Sequence, residues 1–319
     1  MYDGGDQSHA DLIISYLQEQ NVENIDYMIA SHYDEDHIGG LVPCIDNFSV
    51  SNIFGPDYVH TSNLFNNFMN TATANAIIVQ YPSVGETFDF GTGSFTVLAP
   101  NGISQNSNDN SLVIKLENGS NSFIFTGDAE ETSEQDMIST GMNLDCDVLS
   151  LGHHGSASST SWDLLEASTP SWAVISCGQD NSYGHPAAST MEKLRDMNIP
   201  VYRTDDQGTI IALSDGDTIS WNQEPCNDYT AGDAKQQSAN SDTSQAAQYS
   251  SEDTASAPAV ETETPDTSSD TQGRTVWISA TGSKYHSRPD CGNMNPNKAT
   301  QETKAQALSQ GYEACKKCW

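Results

Sequence analysis

Residues 31–40 read Ser31-His32-Tyr33-Asp34-Glu35-Asp36-His37-Ile38-Gly39-Gly40 and follow directly on a short apolar run, Tyr27-Met28-Ile29-Ala30. The run reads as a buried strand. The decapeptide after it carries His32, Asp34, Asp36 and His37, four ligand-type side chains within six residues, and ends in a Gly-Gly turn. Carboxylates crowded in this way repel one another. A divalent cation reverses that sign and accepts imidazole and carboxylate together. The expectation is a metal-binding loop at the end of a strand; a solvated polar loop is the blander alternative.

Two further segments repeat the arrangement. The apolar run Phe123–Thr126 ends in Gly127-Asp128, with Glu130 close behind, and Val148–Leu151 ends in Gly152-His153-His154-Gly155-Ser156. Each puts ligand-type side chains at the C-terminal end of a strand, where open α/β sheets place their sites. Taken singly, Asp128 reads as a turn residue and the His pair as incidental. Three such places in one chain argue for one centre.

Working outward, strand and helix signals alternate from the start. Ser8 is suited to N-cap a helix with the apolar stripe Leu12, Ile13, Tyr16 and Leu17. A helix is expected over 62–76, with Leu64, Phe65 and Phe68 inward. Two hairpins follow, 87–90 with 94–98 and 111–117 with 122–126, the second around the turn dipeptide Asn118-Gly119. Strands at 147–151 and 172–176 each precede a helix, at 161–167 and 186–197, with Pro186 as first helical residue. Strands at 201–204, 209–213 and 218–221 close the domain. Hairpins mixed with βα units fit an α/β (α+β) architecture of two sheets with outer helices.

The combination His32-x-Asp34-x-Asp36-His37-x-Gly39-Gly40, Asn110-Ser111, Thr126-Gly127-Asp128, His153-His154-Gly155-Ser156, Asn181-x-Tyr183-Gly184-His185-Pro186 and Arg203-Thr204-Asp205 resembles the metallo-β-lactamase superfamily. It is most similar to the ComEC-like subgroup, the hydrolase domain at the C-terminal end of a competence protein, over residues 3–221. The resemblance implies an αββα sandwich. Asp34 departs from the wider superfamily, which has His there, and agrees with the subgroup. Carried over by position, His32 and Asp34 belong to a first metal site, Asp36 and His37 to a second, and Asp128 bridges them. His153 completes the second site in preference to His154. The superfamily's usual first-site His has no match; Asp109, Asn110 and Ser111 fall in that region.

The implied cofactor is one or two divalent cations, Zn²⁺ or Mn²⁺, since Asp34 hardens the ligand set. A bound cation lowers the pKa of water toward ~7, and Asp36 or Asp128 would orient or deprotonate that water. His185 is expected at a helix start as a substrate contact or proton donor, with helix capping as the alternative. Asn110, Ser111, His154, Ser156, Asn181 and Tyr183 are the other expected substrate contacts. The resemblance implies hydrolysis of a phosphodiester, DNA being one candidate. Hydrolysis of another ester, a lactone or a small phosphorylated molecule is the second reading, and a secreted binding protein on the same scaffold the third.

Charge qualifies the DNA reading. Residues 1–223 hold four basic side chains, Lys115, Lys193, Arg195 and Arg203, against 31 acidic ones, within a chain of net charge −32. Such a surface repels a polyanion at long range. The domains expected are 1–222 for the hydrolase, 223–273 for an acidic, Ser/Thr/Pro-rich disordered linker, and 274–319 for a small basic module. That module carries His286, Cys291, Cys315 and Cys318, the donor set of a structural Cys₃His zinc site. A Cys315–Cys318 disulfide or redox pair is the alternative. Its lysines suggest a surface polyanion as partner, or simply solvation. No apolar run is long enough to span a membrane. Asp3-Gly4-Gly5 stands two residues into the chain, at a point where the subgroup has already laid down a strand pair. The expectation is therefore that N-terminal strands and a signal or anchor segment are missing, that the first sheet is short with a bare edge, and that the protein is extracellular or at the cell surface.

Overall fold

The computed structural model describes residues 1–232 and, toward the C-terminus, residues 275–278, 284–286, 298–303, 307, 310 and 312–315. The chain divides into two units, Met1–Ser251 and Glu252–Trp319.

The first unit opens with α1 (Ala10–Glu19), β1 (Asn24–Ile29), α2 (Glu35–Ile38), α3 (Leu41–Asn47), β2 (Ser49–Phe54), α4 (Asn63–Ala74) and β3 (Val79–Gln80). The hairpin strands β4 (Thr87–Phe90), β5 (Gly93–Ala99), β6 (Val113–Asn118) and β7 (Asn121–Phe125) come next. Then follow α5 (Glu131–Ser139), β8 (Val148–Ser150), α6 (Trp162–Ser168), β9 (Trp172–Ile175), α7 (Ala188–Asp196), β10 (Val201–Arg203), α8 (Thr204–Gln207), β11 (Ala212–Ser214) and β12 (Ile219–Trp221).

Strands β1–β2–β3 form a parallel three-stranded sheet, and β10–β9–β8–β7–β6–β5–β4 a mixed seven-stranded one. β1 shows why the layers stack. Side chains alternate across a strand, so Met28 and the following Ala30 join the core under α1, α3 and α4, while Tyr27 and Ile29 turn to the core between the sheets. Phe54 from β2 meets Phe95, Val97 and Ile114 from the second sheet in that inner layer. On the far side Leu149, Ala173 and Val201 pack under Met137, Leu164, Leu165, Met191 and Leu194 of α5, α6 and α7. The result is the αββα sandwich.

Several local readings shift. Asp6, not Ser8, supplies the cap at the first turn, accepting from the Ser8 N–H at 2.8 Å. Ser62, taken as the first residue of the expected helix, instead caps α4 by accepting from the Phe65 N–H. Pro186 stands outside α7, whose N-cap is Ala187. Residues 226–232, placed in the linker by composition, pack on the first unit instead. Cys226 N–H donates to Val201 O, Arg203 donates to the carbonyls of Asp228 and Thr230, and Gly232 N–H donates to Pro186 O. The apolar content there is small, but backbone hydrogen bonds to a buried guanidinium suffice to fix it. The remainder of the expected linker, 233–273, lies outside the described residues.

β1 is the edge of the three-stranded sheet, and Tyr2 bridges to Ile29 along it. Beside that edge an apolar groove of about 680 Å³ is lined by Tyr2, Ile13, Leu17, Tyr27, Phe95 and Phe125. In the second unit, β13 (Thr275–Ile278), β14 (Lys284–His286), β15 (Thr300–Thr303) and β16 (Glu313–Ala314) form a sheet in the order β15–β13–β14–β16. Tyr285 is in register with Ala314, and Cys315 N–H donates to Tyr285 O, so His286 and Cys315 follow on neighbouring strands. Cys291 and Cys318 lie outside the described residues.

Candidate metal centre

β7, β8 and β9 run parallel, so the segments leaving them emerge at one edge of the second sheet. The loop after β1 meets them there: Leu112 N–H, just before β6, donates to Ser31 O. Close approach requires glycine at two places. A Cβ on Gly40 would lie 2.0 Å from Gly4 O, and one on Gly127 would lie 2.6 Å from the Ser31 Cβ. The Gly4 N–H donates to His37 O and the Gly40 N–H to Gly5 O, so Asp3-Gly4-Gly5 is zipped to the ligand loop.

Asp128 stands at the middle of the cluster. Its Oδ2 lies 3.9 Å from His32 Nε2 and 3.7 Å from His153 Nε2, while its Oδ1 lies 3.2 Å from His37 Nε2 and 3.7 Å from His154 Nε2. Asp34 Oδ2 lies 3.5 Å from His32 Nε2, and Asp36 Oδ2 lies 3.3 Å from His154 Nε2. His32 and His153 thus lie nearer one Asp128 oxygen and His37 and His154 nearer the other, with Asp34 beside His32 and Asp36 beside His154. The sequence reading set His153 beside Asp36 and His37; the geometry sets His154 there and turns His153 toward His32. The cause is local. His153 (φ 49°, ψ 46°) and His154 (φ 55°, ψ 25°) are both left-handed, which aims two successive rings at opposite oxygens of one carboxylate.

Each imidazole is oriented through its other nitrogen. His37 Nδ1 lies 2.8 Å from Asp3 Oδ2, His153 Nδ1 3.0 Å from Glu130 Oε1, and His154 Nδ1–H donates to Ser176 O at 2.8 Å. His32 Nδ1 has Ser31 Oγ at 3.1 Å and Ser111 Oγ at 3.5 Å. This leaves the four Nε2 atoms facing inward. Nε2 of His32, His37 and His154 and Oδ1 of Asp128 are buried without an aligned hydrogen-bond partner in the protein. Buried polar atoms without partners are costly, and three imidazole nitrogens with a carboxylate oxygen are the donors a divalent cation takes. The residues present therefore fit a metal ion. His32, His37 and Asp128 form one group able to hold it, and Asp36, His37 and His154 another.

Electrostatics agree. Burial opposes ionisation of Asp128, but the His37, His154 and His32 imidazoles outweigh it and hold its carboxyl well below the usual range. The His154 imidazole holds the Asp36 carboxyl down at about 2. Burial alone would lower His37, yet the Asp3 and Asp128 carboxylates on either side raise it. Glu130 is held low, against the effect of burial, by Asn108, Ser158 and Asn106. The segment bearing the two histidines is tied down in turn. Buried Glu134 accepts from Thr160 N–H at 2.5 Å and Ser161 N–H at 2.8 Å.

The expected substrate contacts divide. His185 stands at the centre, its ring 5.5 Å from that of His153 and 6.4 Å from that of His154, and burial lowers its pKa. It precedes α7 by three residues, in a loop and not at the helix start. Tyr183, 82% exposed, stacks on His185 from outside. Asn110, Ser111, Ser156 and Asn181 are engaged with the protein itself. Asn110 holds both backbone groups of Ser104, and Ser111 Oγ accepts from Asp128 N–H. Ser156 accepts from Ser158 N–H, and Asn181 brackets the His185 backbone. Asp109 also turns away, accepting from the N–H groups of Glu130 and Ser133. Two participants were not singled out by the sequence. Asp3 supports His37, and His60 places Nε2 3.5 Å from Asp34 Oδ1.

Residues 1–178 match the family model of the metallo-β-lactamase superfamily, and the chain belongs to that family. It is ComEC-like: 31% identical over 200 residues to ComE operon protein 3 of Bacillus subtilis, covering 62% of this chain and 26% of that protein. Similarity to Recombination protein 2 of Haemophilus influenzae is 32% over 216 residues, covering 66% of this chain and 25% of that protein. The matched part is thus about a quarter of the length of these relatives. Among solved structures, Tm1679, a metal-dependent hydrolase of the β-lactamase superfamily, aligns with a TM-score of 0.42 at 11% identity, over 63% of this chain and 84% of that one. Among the described residues no helix is long and apolar enough to cross a membrane.

Proposed function

We propose that the first unit is a metal-dependent phosphodiesterase with a two-ion centre. The observation that carries the reading is the convergence of buried, unpartnered imidazole nitrogens on the two oxygens of Asp128. One ion would be held by His32, Asp34, His153 and Asp128 Oδ2, the other by Asp36, His37, His154 and Asp128 Oδ1. Ions bound there supply Lewis acidity and water of lowered pKa. The protein's own part is orientation: Asp3, Glu130 and the Ser176 carbonyl fix the rings of His37, His153 and His154. Asp36, on the half-exposed rim, is placed to orient an entering water by accepting a hydrogen bond from it. His185 and Tyr183 border the centre beside His153 and His154, where the departing arm of a substrate would contact the imidazole.

The phosphodiester assignment is supported by the ComEC-like relationship, and the carboxylate-rich donor set suits Mn²⁺ as well as Zn²⁺. The experiment is hydrolysis of bis-p-nitrophenyl phosphate by the full chain loaded with each metal, beside a lactone and a carboxylic ester. Turnover of the diester alone is expected; turnover of the lactone or ester alone would replace the reading. We further propose that His286, Cys291, Cys315 and Cys318 hold a separate structural zinc. Cys315→Ser should then lose one zinc per chain while diester hydrolysis persists.

A further inference from the structure

Three of the four basic side chains of residues 1–223 are buried and engaged within the protein, and the fourth lies some way from the centre. Arg203 is fully buried, paired with Asp205 at 2.7 Å and donating to the carbonyls of Asp228 and Thr230. Lys193 is buried and donates to Ser159 O. Lys115 is buried, donates to Asn143 O and lies 3.5 Å from Glu117. Arg195 is exposed beside Asp196, in the last turn of α7. That is about 11 Å along the helix from its start near His185.

The pocket flanking the centre has the opposite character. It measures about 690 Å³ and is lined by Asp34, Glu35 and Asp36 together with Gln7, His60, Ser62, Asn63 and Asn67. No lysine or arginine lines it. A protein that tracks a polynucleotide neutralises several phosphates with Lys or Arg. With Asp34 and Asp36 engaged on ions, a neighbouring phosphate entering this pocket would meet Glu35 and no compensating Lys or Arg. Amides, a hydroxyl and carboxylates are instead hydrogen-bonding partners for alcohols and neutral polar groups.

We propose that the first unit acts on compact phosphodiesters that carry a single phosphate between uncharged, hydroxyl-bearing arms, such as nucleoside or sugar esters, and does not act along a polynucleotide. The inference rests on the phosphodiesterase reading. The centre accepts one anionic group, and the acidic surroundings reject its neighbours.

The test is a ladder of thymidylates ending in a p-nitrophenyl phosphodiester reporter and carrying one, two, four or eight phosphates, given to the full chain with Mn²⁺ or Zn²⁺. A matching ladder uses uncharged methylphosphonate linkages. The expected result is a fall in kcat/KM of about tenfold from one to eight phosphates at low salt, largely closed by about 300 mM NaCl, where charge is screened. The methylphosphonate ladder should change less than about threefold, since it adds no charge. A rise in kcat/KM with added phosphates, weakened by salt, would overturn the proposal, as would an equal fall on both ladders, which is a limit of size. Failure to cleave even the single-phosphate reporter and bis-p-nitrophenyl phosphate removes the phosphodiesterase reading itself.

Discussion

The Oδ2 atom of Asp3 lies 2.8 Å from Nδ1 of His37, thirty-four positions later in the chain. The pair is held by a backbone zipper between Gly4-Gly5 and the ligand loop. Asp3 thereby fixes which nitrogen of His37 faces Asp128. Asp3→Asn should leave the fold intact and weaken metal binding about 10- to 100-fold, the usual cost of losing a supporting carboxylate. Titration calorimetry with Mn²⁺ or Zn²⁺ reads this directly, and an unchanged affinity would remove Asp3 from the centre.

His154, which the geometry sets 3.3 Å from Asp36, is predicted to be a ligand and not only a substrate contact. His154→Ala and Asp36→Ala should each lower the ion count by one per chain and diester hydrolysis by at least about 100-fold, the upper range for perturbing a metal's supports. Full ion occupancy in His154→Ala, with only KM raised, would return it to a contact role.

Much of this arrangement was legible in the sequence, for physical reasons. His32, Asp34, Asp36 and His37 stand in one short segment after an apolar strand, and Asp128 and the His153–His154 pair repeat that grammar. Two sheets with outer helices were expected from hairpins mixed with βα units, and the αββα order from the superfamily resemblance. What stayed hidden depends on direction. Two consecutive left-handed residues send His153 and His154 to different sides, and nothing in the letters His-His-Gly announces that conformation. His60 is a lone histidine in a loop, brought to Asp34 only because α4 packs on α3 under the first sheet. Asn110, Ser111 and Asn181 look like contacts in sequence because polar residues near a site are ambiguous; only the backbone groups they bond distinguish scaffolding from recognition.

His60 is predicted to be a positioning residue for Asp34. Ser62 N–H lies 3.3 Å from His60 Nδ1, which makes that nitrogen the acceptor and leaves the hydrogen on Nε2, toward Asp34 Oδ1. His60→Ala should weaken binding of one ion about tenfold, with His60→Gln restoring part of it and thermal stability unchanged in both. Equal affinity in all three proteins would sink the assignment.

Metal-free protein should show a specific acid response. The folded Asp36 carboxyl, bonded to His154, titrates at about 2 against an ordinary 3.8. A depressed pKa gives stability that is present above the ordinary value and lost as pH falls through the folded one. The melting-temperature difference between wild type and Asp36→Asn should therefore be at its full size near pH 5 and shrink between about 4 and 2. A difference that persists at pH 2 would show that the carboxylate's charge contributes nothing there.

The backbone at His153 and His154 has a consequence for how such a protein can change over time. A side chain held at φ near +50° costs on the order of 1 kcal/mol, and glycine escapes that cost. Two of the positions where glycine would relax the backbone are thus positions where an imidazole is needed. Selection for a sturdier fold and selection for ion binding therefore pull against each other at one peptide unit. Lineages that lose the activity are free to drift toward glycine there, so the identity of these two residues is a local gauge of whether a related chain still works.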